Sequence, residues 1–348
     1  MLIKRLLLRQ FRCYDESVFE FCPEINLIYG ANAQGKTSLL EALHLLAIGR
    51  SFRTVRLTDM IQNESESFFL EALFESGGVE QRVAISFSGR ERKIVHNNTT
   101  YPAFSSLIGL LPVTMMIPDD DLIKGSPDAR RKFIDLQISQ FDPLYLHYLT
   151  RYQRAMRQRN HLLKSQQLTI IDPWEQEMAK AASYVVKKRR QLIEALQPNG
   201  QQIHHVLSNG NDVLNLRYQE SLEGDYLQQF QKNRMKEVKF GFTCAGPHRD
   251  DLLITIGNQE ARHFASEGQK RTCVTALRLA SWHLLKERIG NAPLMMIDDF
   301  GISLDRKRRQ QFMDQLSGLG QVFITSVEEL QFADRNVQSF EIRQALLN

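Results

Sequence analysis

The first hundred residues carry apolar runs with strand-like patterning. INLIYG (25–30), SFFLEALF (67–74) and EQRVAISF (80–87) are rich in β-branched and aromatic residues and are broken by Gly, Asn and Ser. From about Pro127 to Lys239 the period lengthens. Trp174, Met178, Ala181, Val185 and Leu192 recur at helical spacing and fall close to one face. After Gly241 the strand pattern returns in DDLLITIG, and a helix is expected from about Gln269. The nearly all-apolar PLMMI (293–297) has the composition of a parallel strand buried on both faces, and QVFITS (321–326) is expected as the last strand.

A strand-rich beginning, a helical middle and a strand-bearing end predict an α/β protein of mixed sheets with flanking helices. One lobe is expected from both chain ends, 1–126 with 240–348, and a helical arm is expected over 127–239. A length of 348 residues agrees with two domains at about 150 residues each. No internal repeat or low-complexity tract is visible.

Composition narrows the classes. With 43% hydrophobic and 24% charged residues, the chain can bury a core and carries no disordered or collagen-like bias. No run of about 18 uncharged apolar residues occurs, and MLIKRLLLRQFR is interrupted by charge, so neither a membrane span nor a signal peptide is expected and the protein reads as cytoplasmic. Cys13, Cys22, Cys244 and Cys273 lack paired CxxC spacing, which suggests neither a zinc site nor a disulfide framework. The formal net charge of +4 says little about partners, but the cations cluster: Arg130–Lys132, then Arg151, Arg154, Arg157 and Arg159, then Lys187–Arg190, and Arg306–Arg309.

Three short motifs carry chemistry. Gly30, Ala31, Asn32, Ala33, Gln34, Gly35, Lys36, Thr37 and Ser38 read GANAQGKTS, which fits GxxxxGK(S/T) between the strand run INLIY and the helical run LLEALHLLA. Glycines at 30 and 35 let backbone N–H groups wrap phosphates without Cβ clashes, and Lys36 would meet the β and γ phosphates of ATP. The Thr37 hydroxyl would ligate Mg2+, with the N-terminus of the following helix aimed at the phosphates. Asp298 and Asp299 leave the end of the apolar strand, where acids beside a phosphate loop can hold the metal (Asp298) and orient the attacking water as base (Asp299). An Asp base, shorter than Glu, predicts slow hydrolysis. Ser266, Gly268 and Gln269 belong to an SxGQ segment just ahead of a long helix. Alone that segment is an ordinary helix start with Ser266 as cap, but between a phosphate loop and an Asp-Asp strand it points to a nucleotide contact.

The three elements, in this order, resemble the heads of ABC-type P-loop ATPases, in which the SxGQ segment of one subunit binds the γ-phosphate held by the phosphate loop of another. The split head with an inserted arm is more similar to the SMC-like, chromosome-maintenance branch than to transporter subunits. Within that branch the chain resembles the RecF family along nearly its whole length. The matching segments are LLLRQFRCY, GANAQGKTSLLEAL, GRSFRT (49–54), GSPDARRKFID (125–135), QRN (158–160), DPWEQE (172–177), GPHRDDL (246–252), SEGQKR (266–271) and MIDDF (296–300).

The resemblance implies a cytoplasmic protein that binds DNA in an ATP-dependent way, dimerises on ATP and releases on slow hydrolysis. It further implies that RecO and RecR are partners in loading recombinase at gaps, in service of replication-fork maintenance and SOS induction. By the same resemblance Asp119 would touch the metal and Arg12 the nucleotide, a solvated strand-end arginine being the other reading of Arg12. Contact to single-stranded, double-stranded or gapped DNA would run mainly through phosphates, with little sequence preference. Arg151, Arg154, Arg157, Lys187, Lys188, Arg189 and Arg190 are candidates for it as a group, a solvated helix face being the other reading. Two departures stand out. The family's Ser-Glu-Leu-Asp run is Ile302-Ser303-Leu304-Asp305 here, and Thr325-Ser326 stands where transporter heads have a histidine. A transporter subunit and a small-molecule P-loop kinase are the alternatives; the kinase leaves SxGQ without a role and predicts a monomer regardless of ATP.

Overall fold

The computed structural model describes residues 1–118, 121–210, 212–300, 312–316, 318–332, 335–343 and 346–347. In chain order, β1 (Leu2–Phe11), β2 (Tyr14–Glu20) and β3 (Ile25–Tyr29) lead into α1 (Lys36–Ile48). Next come β4 (Phe68–Ser76), β5 (Val79–Ser88), β6 (Glu91–His96), β7 (Thr99–Tyr101) and β8 (Val113–Met116). The middle of the chain holds α2 (Asp121–Lys124), α3 (Pro127–Ser139), α4 (Pro143–Ser165), α5 (Asp172–Leu207), β9 (Leu214–Gln219) and α6 (Tyr226–Phe240). It continues with β10 (Asp251–Ile256), β11 (Gln259–Glu260), α7 (Ala261–Phe264) and α8 (Glu267–Ile289), after which β12 (Leu294–Ile297), β13 (Val322–Ser326), β14 (Val337–Arg343) and β15 (Leu346–Leu347) close the chain.

Packing divides the chain into two compact units, Met1–Asp119 with Ser281–Asn348, and Asp120–Ala280. The first unit holds two sheets. One is antiparallel, in the order β2-β1-β4-β5-β6-β7. The other runs β15-β14-β3-β13-β12-β8, and its strands from β14 to β8 are parallel. α1 touches β4 and β5 of the first sheet and β8 and β13 of the second, and every one of its residues except Thr37 is buried. A helix covered on all sides cannot be amphipathic, which is why LLEALHLLA is apolar at every position but Glu41 and His44. The parallel strands show the same logic: β12 is buried at all four positions and β13 at all five. Gln321 ties the chain ends together, its side-chain amide donating to the Ile3 and Cys22 carbonyls and accepting from the Ile3 N–H at 2.7 Å.

The second unit is built on α4 and α5, which pack together with α6 around Tyr152, Ala155, Met178, Ala181, Ala182 and Phe230. The buried face expected from residues 174–192 is present: Met178, Ala181, Val185 and Leu192 are core, and Trp174 packs against it. Sequence and structure differ over the boundaries of the middle segment. The sequence pattern predicts a helical segment over 127–239, but β9 lies within it and pairs antiparallel with β10, from Leu214 opposite Ile256 to Gln219 opposite Asp251. Residues beyond 240 therefore pack with the middle of the chain, and the division of the compact units falls inside α8 rather than at 239. Among the described residues no helix is long and apolar enough to cross a membrane.

Candidate nucleotide site

The parallel sheet delivers β3 to the turn Gly30–Gly35, and α1 starts directly behind it. Gly30 has φ +145°, and a Cβ there would meet the Ile342 carbonyl oxygen of β14 at 2.5 Å. Gly35 has φ +116°, and its Cβ would lie 2.9 Å from the Cys13 sulfur. Both glycines are thus required by conformation and by space. The Lys36 side chain curls back, its Nζ donating to the Gly30 and Ala31 carbonyls at 2.8 Å each. Burial lowers the pKa of this ammonium, against the opposing influence of the Asp299 and Asp298 carboxylates.

At the far end of β12, Asp298 is 8% exposed. Its Oδ1 accepts from the Thr37 hydroxyl at 3.0 Å and from the Thr325 hydroxyl at 2.7 Å. Burial raises the Asp298 carboxyl above the ordinary carboxylate range; the two hydroxyls work against that and the Asp299 charge adds to it. Asp299 sits at φ +51°, its N–H donating to the Thr325 hydroxyl at 2.7 Å. Thr325 therefore binds both aspartates from the neighbouring strand, a role that the sequence alone did not suggest for it.

These groups border an open cavity of about 570 Å3, lined among others by Arg12, Asn32, Lys36, Thr37, Arg53 and Asp299. Arg12 forms a two-pronged bond with Glu41 of α1, at 2.8 and 2.7 Å, and donates to the Asp59 carbonyl. Glu41 is fully buried and also receives the Ser51 hydroxyl and, at 3.6 Å, Arg53. One buried carboxylate thus fixes two arginines at the cavity and anchors GRSFRT. The signal was present in the sequence, since Glu41 is the lone acid of α1 and sits among leucines and alanines. Arg53 is a wall residue that sequence reasoning did not assign.

The phosphate loop, Arg12, Asp298 and Asp299 are therefore brought together in the first unit. Asp119 and the stretch Ile302–Asp305 lie outside the described residues. Ser266, Gly268 and Gln269 lie in the second unit at the start of α8, where the Ser266 N–H donates to Gln269 Oε1 at 2.9 Å and the Gln269 N–H to Ser266 Oγ at 3.2 Å. This reciprocal cap leaves the Gln269 amide nitrogen free to donate to Asp212 at 2.9 Å.

The basic residues of the second unit are mostly engaged within it. Arg151 pairs with Glu177, Lys188 with Asp142 at 2.6 Å, and Arg190 with Glu220. Arg189 is 2% exposed and donates to Asp135 and, at 2.6 Å, to the Pro247 carbonyl. Although its sequence makes it a candidate surface contact, Arg189 is an internal brace, because its guanidinium is buried and already hydrogen-bonded. Arg154, Arg157 and Lys187 are exposed, and among the described residues none of them is in an ion pair. Several resemblance motifs also prove to be internal joints. Arg130 of GSPDARRKFID grips Asp251 of GPHRDDL at 2.7 and 2.8 Å, and Arg159 of QRN joins Glu175 of DPWEQE at 3.0 Å.

An antiparallel and a parallel sheet enclosing one helix, with a glycine-rich turn facing an Asp-Asp strand end, define the head fold of an ABC-type P-loop ATPase. The family described as "RecF/RecN/SMC N terminal domain" matches residues 2–345. The DNA replication and repair protein RecF of Protochlamydia amoebophila is 48% identical over 339 residues, 94% of either chain. The protein of that name from Bacillus subtilis is 35% identical over 346 residues, 94% of this chain and 93% of its own. A solved structure of the recombination mediator protein RecF with ATP, in the RecFOR pathway, matches with TM-score 0.91 at 28% identity, over all of this chain and 97% of that one. An Smc head bound to the winged-helix domain of ScpA matches with TM-score 0.60 at 17% identity, over all of this chain and 96% of its own, and shares the fold. The chain belongs to the RecF family.

Proposed function

We propose that this protein is an ATP-operated DNA-binding switch of recombinational DNA repair and replication-fork maintenance. The carrying observation is the Thr37–Asp298 hydrogen bond of 3.0 Å at the edge of a cavity walled by the phosphate loop. It sets a hydroxyl and a carboxylate side by side where the β and γ phosphates of ATP would lie, with Lys36 next to them. The hard oxygen donors of Thr37 and Asp298 suit Mg2+, and the buried carboxylate, its pKa raised by lost solvation, is an anion in want of a cation. When bound, Mg2+ neutralises charge on the phosphates and eases attack at the γ-phosphorus.

The chain's own groups do the rest. Lys36 exchanges its loop carbonyls for phosphate oxygens. Thr325 holds the backbone of Asp299 so that its carboxylate can orient water. The relatives' names support the DNA repair setting, and the transporter alternative is not favoured by them. On this reading the head comes from the two chain ends and the middle forms the arm. ATP clamps two copies through the Ser266–Gln269 helix start of each; slow hydrolysis by Asp299 separates them, and the switch works in the cytoplasm with RecO- and RecR-type partners at gapped DNA and in SOS induction.

Sedimentation velocity with and without ATP and Mg2+, run beside binding to gapped DNA, tests the reading. A nucleotide-dependent shift from monomer to dimer that tracks DNA affinity is expected; a monomer at saturating ATP would remove the switch.

A further inference from the structure

The last turn of α6 and the loop behind it bear an exposed surface for which the nucleotide site has no use. α6 turns Phe230, Arg234 and Glu237 inward, Glu237 being 1% exposed and bound to Arg159 at 2.6 Å. At 100° per residue the opposite face carries Lys232, Lys236 and Lys239, all exposed, with Met235 between them at 69% exposure. Among the described residues none of these lysines is in an ion pair. The exposed acids of this segment, Glu223 and Asp225, stand at the other end of the helix.

Gly241, at φ +73°, closes the helix with its N–H on the Glu237 carbonyl and reverses the chain. That reversal sets Phe240 and Phe242 beside each other with ring centroids 6.0 Å apart, 54% and 41% exposed. The Arg249 guanidinium lies over the Phe242 ring at 5.8 Å, itself exposed and without a carboxylate partner among the described residues. Two solvent-facing rings cost solvation free energy that folding does not recover, so their exposure calls for an occupant. A row of unpaired cations leading to them specifies its charge. Cations at helical spacing suit a phosphate backbone, and flat aromatic faces suit unpaired bases, which a duplex keeps stacked inside.

We infer that Lys232, Lys236, Lys239, Phe240, Phe242 and Arg249 form a contact surface for single-stranded nucleic acid. The inference rests on the DNA-binding reading above and gives it a location and a strand preference. Phosphates run along the lysines, and one or two bases stack on the phenylalanines. None of these residues lies in the clusters at 151–157 and 187–190.

The test uses the full-length protein with fluorescein-labelled oligothymidine and, separately, a duplex of equal length, each with and without ATP and Mg2+. F240A/F242A should weaken oligothymidine binding about 5- to 100-fold per lost stacked base while leaving the duplex affinity within about twofold. K232A/K236A/K239A should reduce the slope of log K against log salt for the oligothymidine by about 2. All five side chains are outside the core, and an unchanged thermal midpoint checks that the variants fold; photocrosslinking of 5-bromouracil-substituted oligothymidine to wild type should label residues 235–249 even if a variant is lost. Wild-type affinity in both variants, or equal losses on duplex and single strand for F240A/F242A, would overturn the assignment while the DNA-binding reading stands. A wild-type protein that binds neither probe under any condition would sink both.

Discussion

Thr325→Val removes one hydroxyl from the buried end of β13 and changes the shape of the side chain little. The threonine is fully buried, donates to Asp298 at 2.7 Å and accepts from the Asp299 N–H at 2.7 Å. A hydrogen bond to a carboxylate is worth about 1.5–3 kcal/mol, and stranding a backbone N–H costs about 1–3 kcal/mol when water cannot reach it. Asp298 keeps the Thr37 hydroxyl, and Asp299 is partly exposed, so both contributions fall toward their lower ends. The expected loss is about 2–4 kcal/mol, read as a lower urea midpoint at unchanged slope. Thr325→Ser, which keeps the hydroxyl, should lose less than about 1 kcal/mol. A valine variant within about 0.5 kcal/mol of wild type, or a serine variant as unstable as the valine one, would refute the bridging role.

Other outcomes follow from the same geometry. Lys36→Ala should weaken ATP binding by about 10- to 100-fold in a fluorescent-nucleotide titration, because charge-assisted bonds to two phosphates are lost. Asp299→Asn should bind ATP normally, persist as a dimer in sedimentation and hydrolyse about 100-fold or more slowly; rapid phosphate release by it would remove Asp299 as base. Asp212→Ala frees the Gln269 amide and should weaken the ATP-dependent dimer without changing nucleotide affinity of the monomer. His248 is held neutral by burial, its pKa lowered from the ordinary 6.5 to about 4, with Tyr152 and the Thr243 carbonyl on its two nitrogens. A depressed pKa means that the unfolded chain takes up the proton first. The stability this histidine preserves is therefore complete above about pH 6.5 and is lost as pH falls toward 4, by up to about 3 kcal/mol, and His248→Gln should flatten that part of the pH profile.

The geometry around the glycine-rich turn was legible because its determinants are local: nine consecutive residues between a strand and a helix, and two aspartates at the end of an all-apolar run, which the structure brings together. The helical arm was legible as periodicity but not as topology. β9 is short and half polar, and only its pairing with β10, over thirty residues away in sequence, makes it a strand. Charge runs misled for the same reason. Arg189 and Arg159 look like surface cations in a one-dimensional list, yet their partners Asp135 and Glu237 lie 54 and 78 residues away. Glu41 and Thr325 were missed as site residues because each acts through a neighbour and carries no motif of its own.

β3, which leads into the phosphate loop, has β13 and β14 as its two neighbours, and both are made after residue 321. At about 5–20 residues per second, a ribosome needs on the order of half a minute between translating the loop and supplying the strands that hold it. The second unit finds all its strand partners between residues 214 and 260 and can pack during that wait. A chain cut short before residue 322 would thus lack both strands that flank β3, and with them the Ile342 carbonyl against which Gly30 is packed.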